Sequence, residues 1–441
     1  MPLPLVAIVG RPNVGKSTMF NRIIRDRLSI TDDQPGVTRD RIYSKGEWNG
    51  REFNLIDTGG YVPKSEDLIE TMVREQAEAA IEEADQIIFI VDARVGPTDL
   101  DREIAVRLLK QDKPVLLVAN KADNPDLAID VYEFMNLGLD EPQPISAANG
   151  LNLADMLDRL TELMPEQVDE PESDKLKIAI LGRPNVGKSS LVNFLLGCQR
   201  QIVTDIPGTT RDAVDLAVRF EDREYILIDT AGLRRRSRIK ENLEYFMTLR
   251  TIKALERCDV AMLLIEAQEG LLNQDVQIIN QIMKAGKALV LCVNKWDLID
   301  ADQDMVDRYR QAIYNKIPTY SFIPIMFMSA LTGRKVMRMF KFMQYVDDEQ
   351  NKRIKTSELN KFLEKTVARK HPPAVQGKHI RLLYITQVDI KPPRFIIFSN
   401  FPKLIKDDYQ RYLENQLRDH FKFEGVPIKI MLKLRKSDRN D

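Results

Sequence analysis

Residues 10–18 read GRPNVGKST and residues 182–190 read GRPNVGKSS, the same eight letters followed by a hydroxyl residue. A GxxxxGKS pattern between a strand and a helix lets glycine bring backbone N–H groups close around a polyphosphate, and the helix N-terminus itself favours anions. Gly10, Arg11, Pro12, Asn13, Val14, Gly15, Lys16 and Ser17 are therefore candidate phosphate-binding residues, as are Gly182, Arg183, Pro184, Asn185, Val186, Gly187, Lys188 and Ser189. Lys16 and Lys188 are placed to reach the β and γ phosphates, and the hydroxyls of Ser17 and Ser189 to ligate Mg2+.

The rest of the chain repeats in the same register. An offset of 172 carries PGVTRD (35–40) onto PGTTRD (207–212) and LIDTGG (55–60) onto LIDTAG (227–232). NKAD (120–123) matches NKWD (294–297) at offset 174, and SAANG at 146 matches SALTG at 329 at offset 183. Loop insertions explain the drift, because connections tolerate added length better than strands do. Short Val, Ile and Leu runs such as LVAIVG, QIIFIVDA and PVLLVANK alternate with helical stretches such as LDREIAVRLLKQ. That alternation predicts a doubly wound parallel sheet in each copy, with the motifs at strand ends.

Each motif has a chemical reading in this frame. Asp57 and Asp229 end a strand and hold Mg2+ through water, with Thr58, Gly59 and Gly60, or Thr230, Ala231 and Gly232, following at the γ phosphate. Thr38 and Thr210 lie between a Pro-Gly turn and Arg-Asp, where a second hydroxyl reaches the metal in a segment that orders around the γ phosphate. The carboxylates of Asp123 and Asp297 accept from the N1–H and amine of guanine; adenine offers no such pair and would leave the acid unsatisfied. Asn120 and Asn294 brace that site, Lys121 and Lys295 cover the ring, and the loops at Ser146 and Ala147, or Ser329 and Ala330, offer backbone N–H to the guanine oxygen. GTP and GDP are the expected ligands, and Lys16, Thr38, Asp57, Gly60, Lys188, Thr210, Asp229 and Gly232 the expected catalytic set.

Composition bounds the remainder. With 441 residues, 44% hydrophobic and 30% charged, the chain reads as an ordinary globular protein of several domains. The three cysteines, Cys198, Cys258 and Cys292, form no CxxC pair and fit a reducing compartment. The opening MPLPLVAIVG lacks a basic leader, and no apolar run is long enough to span a bilayer, so the expected address is cytoplasmic, with no membrane partner. Two GTPase domains are expected at 1–166 and 176–350, joined by an acidic linker at 167–175, with a basic terminal domain at 351–441. That last stretch holds 21 Lys and Arg against 10 Asp and Glu, whereas 1–350 holds 44 against 56. A chain of formal charge -1 thus conceals a strongly basic third domain.

These residues resemble the translation-factor-related GTPases, and two such domains in tandem before a basic terminal domain resemble the Der (EngA) family of ribosome-assembly GTPases. The stretch PPRFIIFSNFPKLIKDDYQRYLENQLRDHFKFEGVPIKI (392–430) resembles that family's KH-like domain, a small α+β unit. The resemblance implies GTP hydrolysis coupled to maturation of the large ribosomal subunit, with the subunit and its RNA as partners; a monomer is expected. Where Ras-like GTPases carry a water-orienting glutamine, Tyr61 and Leu233 stand here, so another element supplies catalysis. Asn13 and Asn185 resemble the asparagines that ligate potassium in related GTPases, which makes K+ an expected cofactor beside Mg2+.

Two departures qualify the picture. The terminal domain's only glycines are Gly377 and Gly425, so it has no GxxG loop to clamp a nucleic-acid backbone. Its aromatics Phe395, Phe398, Tyr409, Tyr412 and Phe421 are spaced as core residues, while its cations form an electrostatic footprint for RNA. Secondly, LRRRSRIK follows DTAG in the second copy where YVPKSEDLIE follows DTGG in the first, so the two switch segments cannot meet the same surface. A GTP-dependent tRNA-modification enzyme and a scaffold with one structural GTP site are the competing readings.

Overall fold

The computed structural model describes residues 3–25, 43–58, 78, 80–124, 130–164, 175–197, 215–228, 230, 244–300, 302–375 and 377–434. By contacts the chain divides into two compact units, Met1–Pro171 with Asn242–Lys253, and Glu172–Glu241 with Ala254–Asp441.

The first unit runs β1 (Leu5–Val9), α1 (Lys16–Arg25), β2 (Tyr43–Trp48), β3 (Arg51–Asp57), β4 (Gln86–Asp92), α2 (Asp99–Leu108), β5 (Val115–Asn120), β6 (Gln143–Pro144) and α3 (Leu153–Glu162). Its sheet has the order β2-β3-β1-β4-β5-β6 and is parallel except for the β2–β3 pair. Successive side chains of a strand point to opposite faces. Leu5, Ala7 and Val9 accordingly join one core with Phe89 and Phe134, while Val6 and Ile8 join another with Phe20, Phe53 and Leu157. Burial on both faces explains why these strands are continuous apolar runs.

From Glu172 on the chain repeats the plan with β7 (Leu176–Leu181), α4 (Lys188–Gly197), β8 (Leu216–Phe220), β9 (Arg223–Ile228), α5 (Glu244–Arg257, whose residues up to Lys253 group with the first unit), β10 (Val260–Glu266), α6 (Asn273–Lys284), β11 (Ala288–Asn294), α7 (Gln303–Lys316), β12 (Ile325–Phe327) and α8 (Arg338–Gln350). The order β8-β9-β7-β10-β11-β12 is that of the first sheet strand for strand. The expected doubly wound fold is present twice, and in each sheet the first strand sits between the third and fourth, where ligands bind at the carboxyl ends.

The terminal domain adds α9 (Thr356–Arg369), β13 (Leu382–Asp389), β14 (Arg394–Ser399), α10 (Asp407–Phe421) and β15 (Lys429–Leu434). β14 pairs antiparallel with β13 and parallel with β15. Of the five aromatics assigned to its core, Phe395 and Tyr409 are buried, and Phe398, Tyr412 and Phe421 are half-buried.

This domain shares its core with the second GTPase sheet. Ile178, Met262 and Val290 from that sheet, Phe340 and Met343 from α8, and Ile397, Leu413 and Phe423 from the terminal domain form one apolar cluster. Backbone groups cross the seam: Leu289 N donates to Gly425 O at 2.7 Å, Gly425 N to Phe322 O at 2.8 Å, and Phe423 N to Glu349 Oε2 at 2.8 Å. Gly425 has φ 73°, and a Cβ there would lie 2.7 Å from Leu289 O, so only glycine fits. Arg418 donates to Phe423 O and Val426 O and lies 3.5 Å from the ring centroid of Phe322. Deleting the terminal domain would strip one side of the second GTPase core. The linker segment 167–174 lies outside the described residues. Among the described residues no helix is long and apolar enough to cross a membrane.

Candidate active sites

Each phosphate loop is set by close approach. A Cβ on Gly10 would lie 2.3 Å from Ile90 O, and one on Gly182 2.5 Å from Leu264 O, so the loop can leave its strand beside the fourth strand only as glycine. Asn13 and Asn185 both take φ 64°, and both are exposed. Gly15 (φ 100°) and Gly187 (φ 98°) complete the turn into α1 and α4.

The asparagine of NKxD joins three motifs. Asn120 Nδ2 donates to Val14 O at 2.8 Å, and its Oδ1 accepts from Ala147 N at 2.9 Å. Asn294 does the same with Val186 O and Ala330 N, both at 2.8 Å. Gly15 and Gly187 are needed here again, since a Cβ would lie 2.3 and 2.2 Å from these amides. Phosphate loop, NKxD turn and SA loop are thus one bonded assembly in each copy.

Lys16 Nζ donates to Gly10 O and Arg11 O, both at 2.9 Å, and Lys188 Nζ to Gly182 O and Arg183 O. Burial lowers the Lys16 pKa, opposed by the charge of Asp57. Asp57 closes β3 with 1% exposure, and Thr58 beside it donates to Ile8 O at 2.7 Å. Ser17 is exposed and Ser189 half-buried in the first helical turns, and Thr230 is buried. Thr38, Gly59, Gly60, Tyr61, Thr210, Asp229, Ala231, Gly232, Leu233 and the basic run 234–240 lie outside the described residues.

At the base end Asp123 accepts from Ser146 Oγ at 2.6 Å, from Asn149 Nδ2 at 3.3 Å, and from Arg94. The Ser146 bond first, and then Arg94, hold its carboxyl below the usual range. Asp297 is exposed. Ser146 and Ser329 are fully buried, and their hydroxyls accept from Asn149 N and Thr332 N. Lys121 donates to Asn13 O and Asp92 Oδ2 at 2.7 and 2.6 Å, and Lys295 to Glu266 Oε2 at 2.8 Å.

Several of these partners were not read from the motifs: Asp92 and Glu266 behind the lysines, Arg94 on Asp123, and Asp101 and Asp275 on Arg11 and Arg183. Asp101 and Asp275 stand at the 174-residue offset of the NKxD motif, so extending the self-comparison past the named motifs would have found them.

A glycine loop after the first strand, a buried aspartate at the end of the third and an Asn-Lys-x-Asp turn after the fifth define a P-loop GTPase. The chain carries the strand order, the loop and the turn twice. The profile described as "50S ribosome-binding GTPase" matches residues 5–121 and 177–295, and that described as "KH-domain-like of EngA bacterial GTPase enzymes, C-terminal" matches 353–433. GTPase Der of Moorella thermoacetica is 50% identical over 98% of this chain and 99% of its own length. GTPase Der of Desulforamulus reducens is 47% identical over 99% of each chain, and that of Caldanaerobacter subterraneus 49% identical over 99% of this chain and 100% of its own. The chain belongs to the Der (EngA) family of GTPases.

Proposed function

We propose that this GTPase is an assembly factor for the large ribosomal subunit, with two GTP switches that control docking of a basic terminal domain on ribosomal RNA in the cytoplasm. The observation that carries the nucleotide part is the Asn120 and Asn294 network, which ties base-reading turn to phosphate loop in both copies. The residues given above by motif fill the roles their chemistry suits. Lys16 and Lys188 leave their carbonyl partners for the β and γ phosphates, and Asp123 and Asp297 read the guanine edge.

The donor set fits Mg2+. Ser17, Asp57 and Thr38, with Ser189, Asp229 and Thr210, offer hydroxyl and carboxylate oxygens and no sulfur or imidazole, as a hard divalent cation requires. The ion supplies charge neutralisation at the β and γ oxygens. Asn13 and Asn185, exposed in left-handed backbone, are the proposed potassium ligands in place of an arginine finger.

The ribosomal part rests on the family description and on surface charge. Lys361, Lys365 and Arg369 recur every fourth residue along α9 and are exposed, which lines one helix face with cations suited to a phosphate backbone. Gly425 is committed to the seam with Leu289, so nucleic-acid contact there is electrostatic rather than through a glycine clamp.

Replacing Asp123 or Asp297 with Asn exchanges an acceptor for a donor at the base. GTP affinity at that site should fall and xanthosine nucleotide affinity rise, by about tenfold or more for a charge-assisted contact. Unchanged GTP affinity in both variants would contradict the guanine assignment.

A further inference from the structure

Two arginines inside the phosphate loops have partners that the nucleotide motifs leave unassigned. Arg11 and Arg183 follow the first glycine, and their own carbonyls receive the amines of Lys16 and Lys188. Their side chains run to the first turn of α2 and α6, where Asp101 and Asp275 are fully buried. Each loop is thereby tied to the helix behind it at the peptide that holds its lysine.

The two ties are not equally complete. Arg183 Nε donates to Asp275 Oδ1 at 2.9 Å and its Nη2 to Glu269 Oε2 at 2.8 Å, while Asp275 Oδ2 accepts from Leu272 N at 2.9 Å. Each carboxylate oxygen of Asp275 has one task. In the first copy Asp101 Oδ2 accepts both Thr98 N and Thr98 Oγ1, at 3.1 and 2.7 Å, and Arg11 Nε stands 3.4 Å away as an ion pair without a hydrogen bond. Arg11 Nε and Nη2 and Asp101 Oδ1 are buried without hydrogen-bond partners among the described residues. Two differences in sequence account for this. Thr98 stands where the second copy has Leu272, and its hydroxyl competes for the carboxylate; Val95, exposed, stands where the second copy has Glu269.

We propose that Arg11 and Arg183 are positioning residues that hold each phosphate loop in its binding shape, and that Glu269 and Leu272 make the second loop the more rigidly preorganised. A preorganised loop loses less freedom when it closes on phosphate, and the gain is read in slower release of nucleotide. The proposal rests on the P-loop reading but not on the ribosomal one.

The test uses the full chain with one site turned to xanthosine nucleotides, Asp297→Asn to observe the first site and Asp123→Asn to observe the second, and stopped-flow release of fluorescent GDP. Failure of the base exchange itself is seen beforehand as GDP binding at both sites, which separates the two ideas. Val95→Glu with Thr98→Leu should slow release from the first site about threefold to fivefold, the range of a partly exposed ion pair, and Glu269→Val with Leu272→Thr should speed the second by as much. Arg183→Lys should speed the second site too, since an ammonium cannot present the two divergent donors that Asp275 and Glu269 use. Unfolding midpoints are followed alongside. Unchanged release in either swapped chain overturns the proposal, and so does a change in release that only tracks a change in midpoint.

Discussion

The two GTPase domains share a strand order and a phosphate loop letter for letter, yet what stands behind each loop differs. The sheet of the first domain carries an apolar core on each face. One face of the second is continuous with the terminal domain, through α8 and the Leu289–Gly425 seam. At the base end Arg94 engages Asp123, whereas the second copy has Gln268 at the matching position and an exposed Asp297. The two copies are identical at the phosphate loop and differ in the residues around it. The duplicated motifs carry the shared chemistry, and the unduplicated neighbours are where the two copies can diverge.

The largest expected effect breaks the comparison at the seam. Phe423 is fully buried in the shared core, and Phe423→Ala should destabilise the second unit by about 3–5 kcal/mol while the first keeps its nucleotide. Thiol labelling reports it. Cys258 and Cys292 are buried in this unit, burial pushes the Cys258 thiol up to about 12 and the Cys292 thiol up as well, and both stay protonated and unreactive until the unit opens. Labelling rates equal to those of the unaltered chain would show that the seam is not part of the fold's stability.

Next in size is the potassium response, which the identical loops should share. Exchanging K+ for Na+ at fixed ionic strength should slow single-turnover hydrolysis about a hundredfold if the cation does the work of one oxyanion donor. Asn13→Ala should abolish the response of the first site alone and Asn185→Ala that of the second. Equal rates in both salts would remove the cation from the account.

Arg94 gives the smallest effect and sharpens the contrast at the base. Arg94→Gln makes the first site like the second, and its GTP affinity should rise because guanine no longer competes with a guanidinium for Asp123. The sign with pH follows from the depressed carboxyl: the charged form is favoured, so binding that needs it is complete above the ordinary carboxylate range and fades only as pH falls through the lowered value. Removing Arg94 should move that fade upward in pH, read from GTP binding across the acid range, while the second site stays as it was.

Much of this arrangement was legible in the letters. Val, Ile and Leu runs gave β1, β4 and β5, and the common register gave two copies of one sheet, because a parallel strand buried on both faces leaves a continuous apolar signal. The Asn120 and Asn294 bracing was legible as a role, although its partners Val14 and Ala147, or Val186 and Ala330, needed the fold. What stayed hidden is tertiary. In the letters Gly425 is only one of two glycines that make no GxxG loop, and its φ and the bond it accepts from Leu289 N show that it joins the terminal domain to the second sheet. Arg11 reads as part of a phosphate loop, and its carboxylate lies 90 residues on, at a helix start whose capping pattern gives no hint of an arginine.

The most direct test of the central claim, two nucleotide-gated contacts with the large ribosomal subunit, is co-sedimentation of the full chain with purified subunits, loading each site separately through Asp123→Asn or Asp297→Asn and a xanthosine analogue. Stable binding is expected only with a triphosphate in both sites, weakening steeply as salt releases the counterions that the basic terminal domain displaces. Binding that is equally tight with diphosphate in either site, or indifferent to salt, would contradict it.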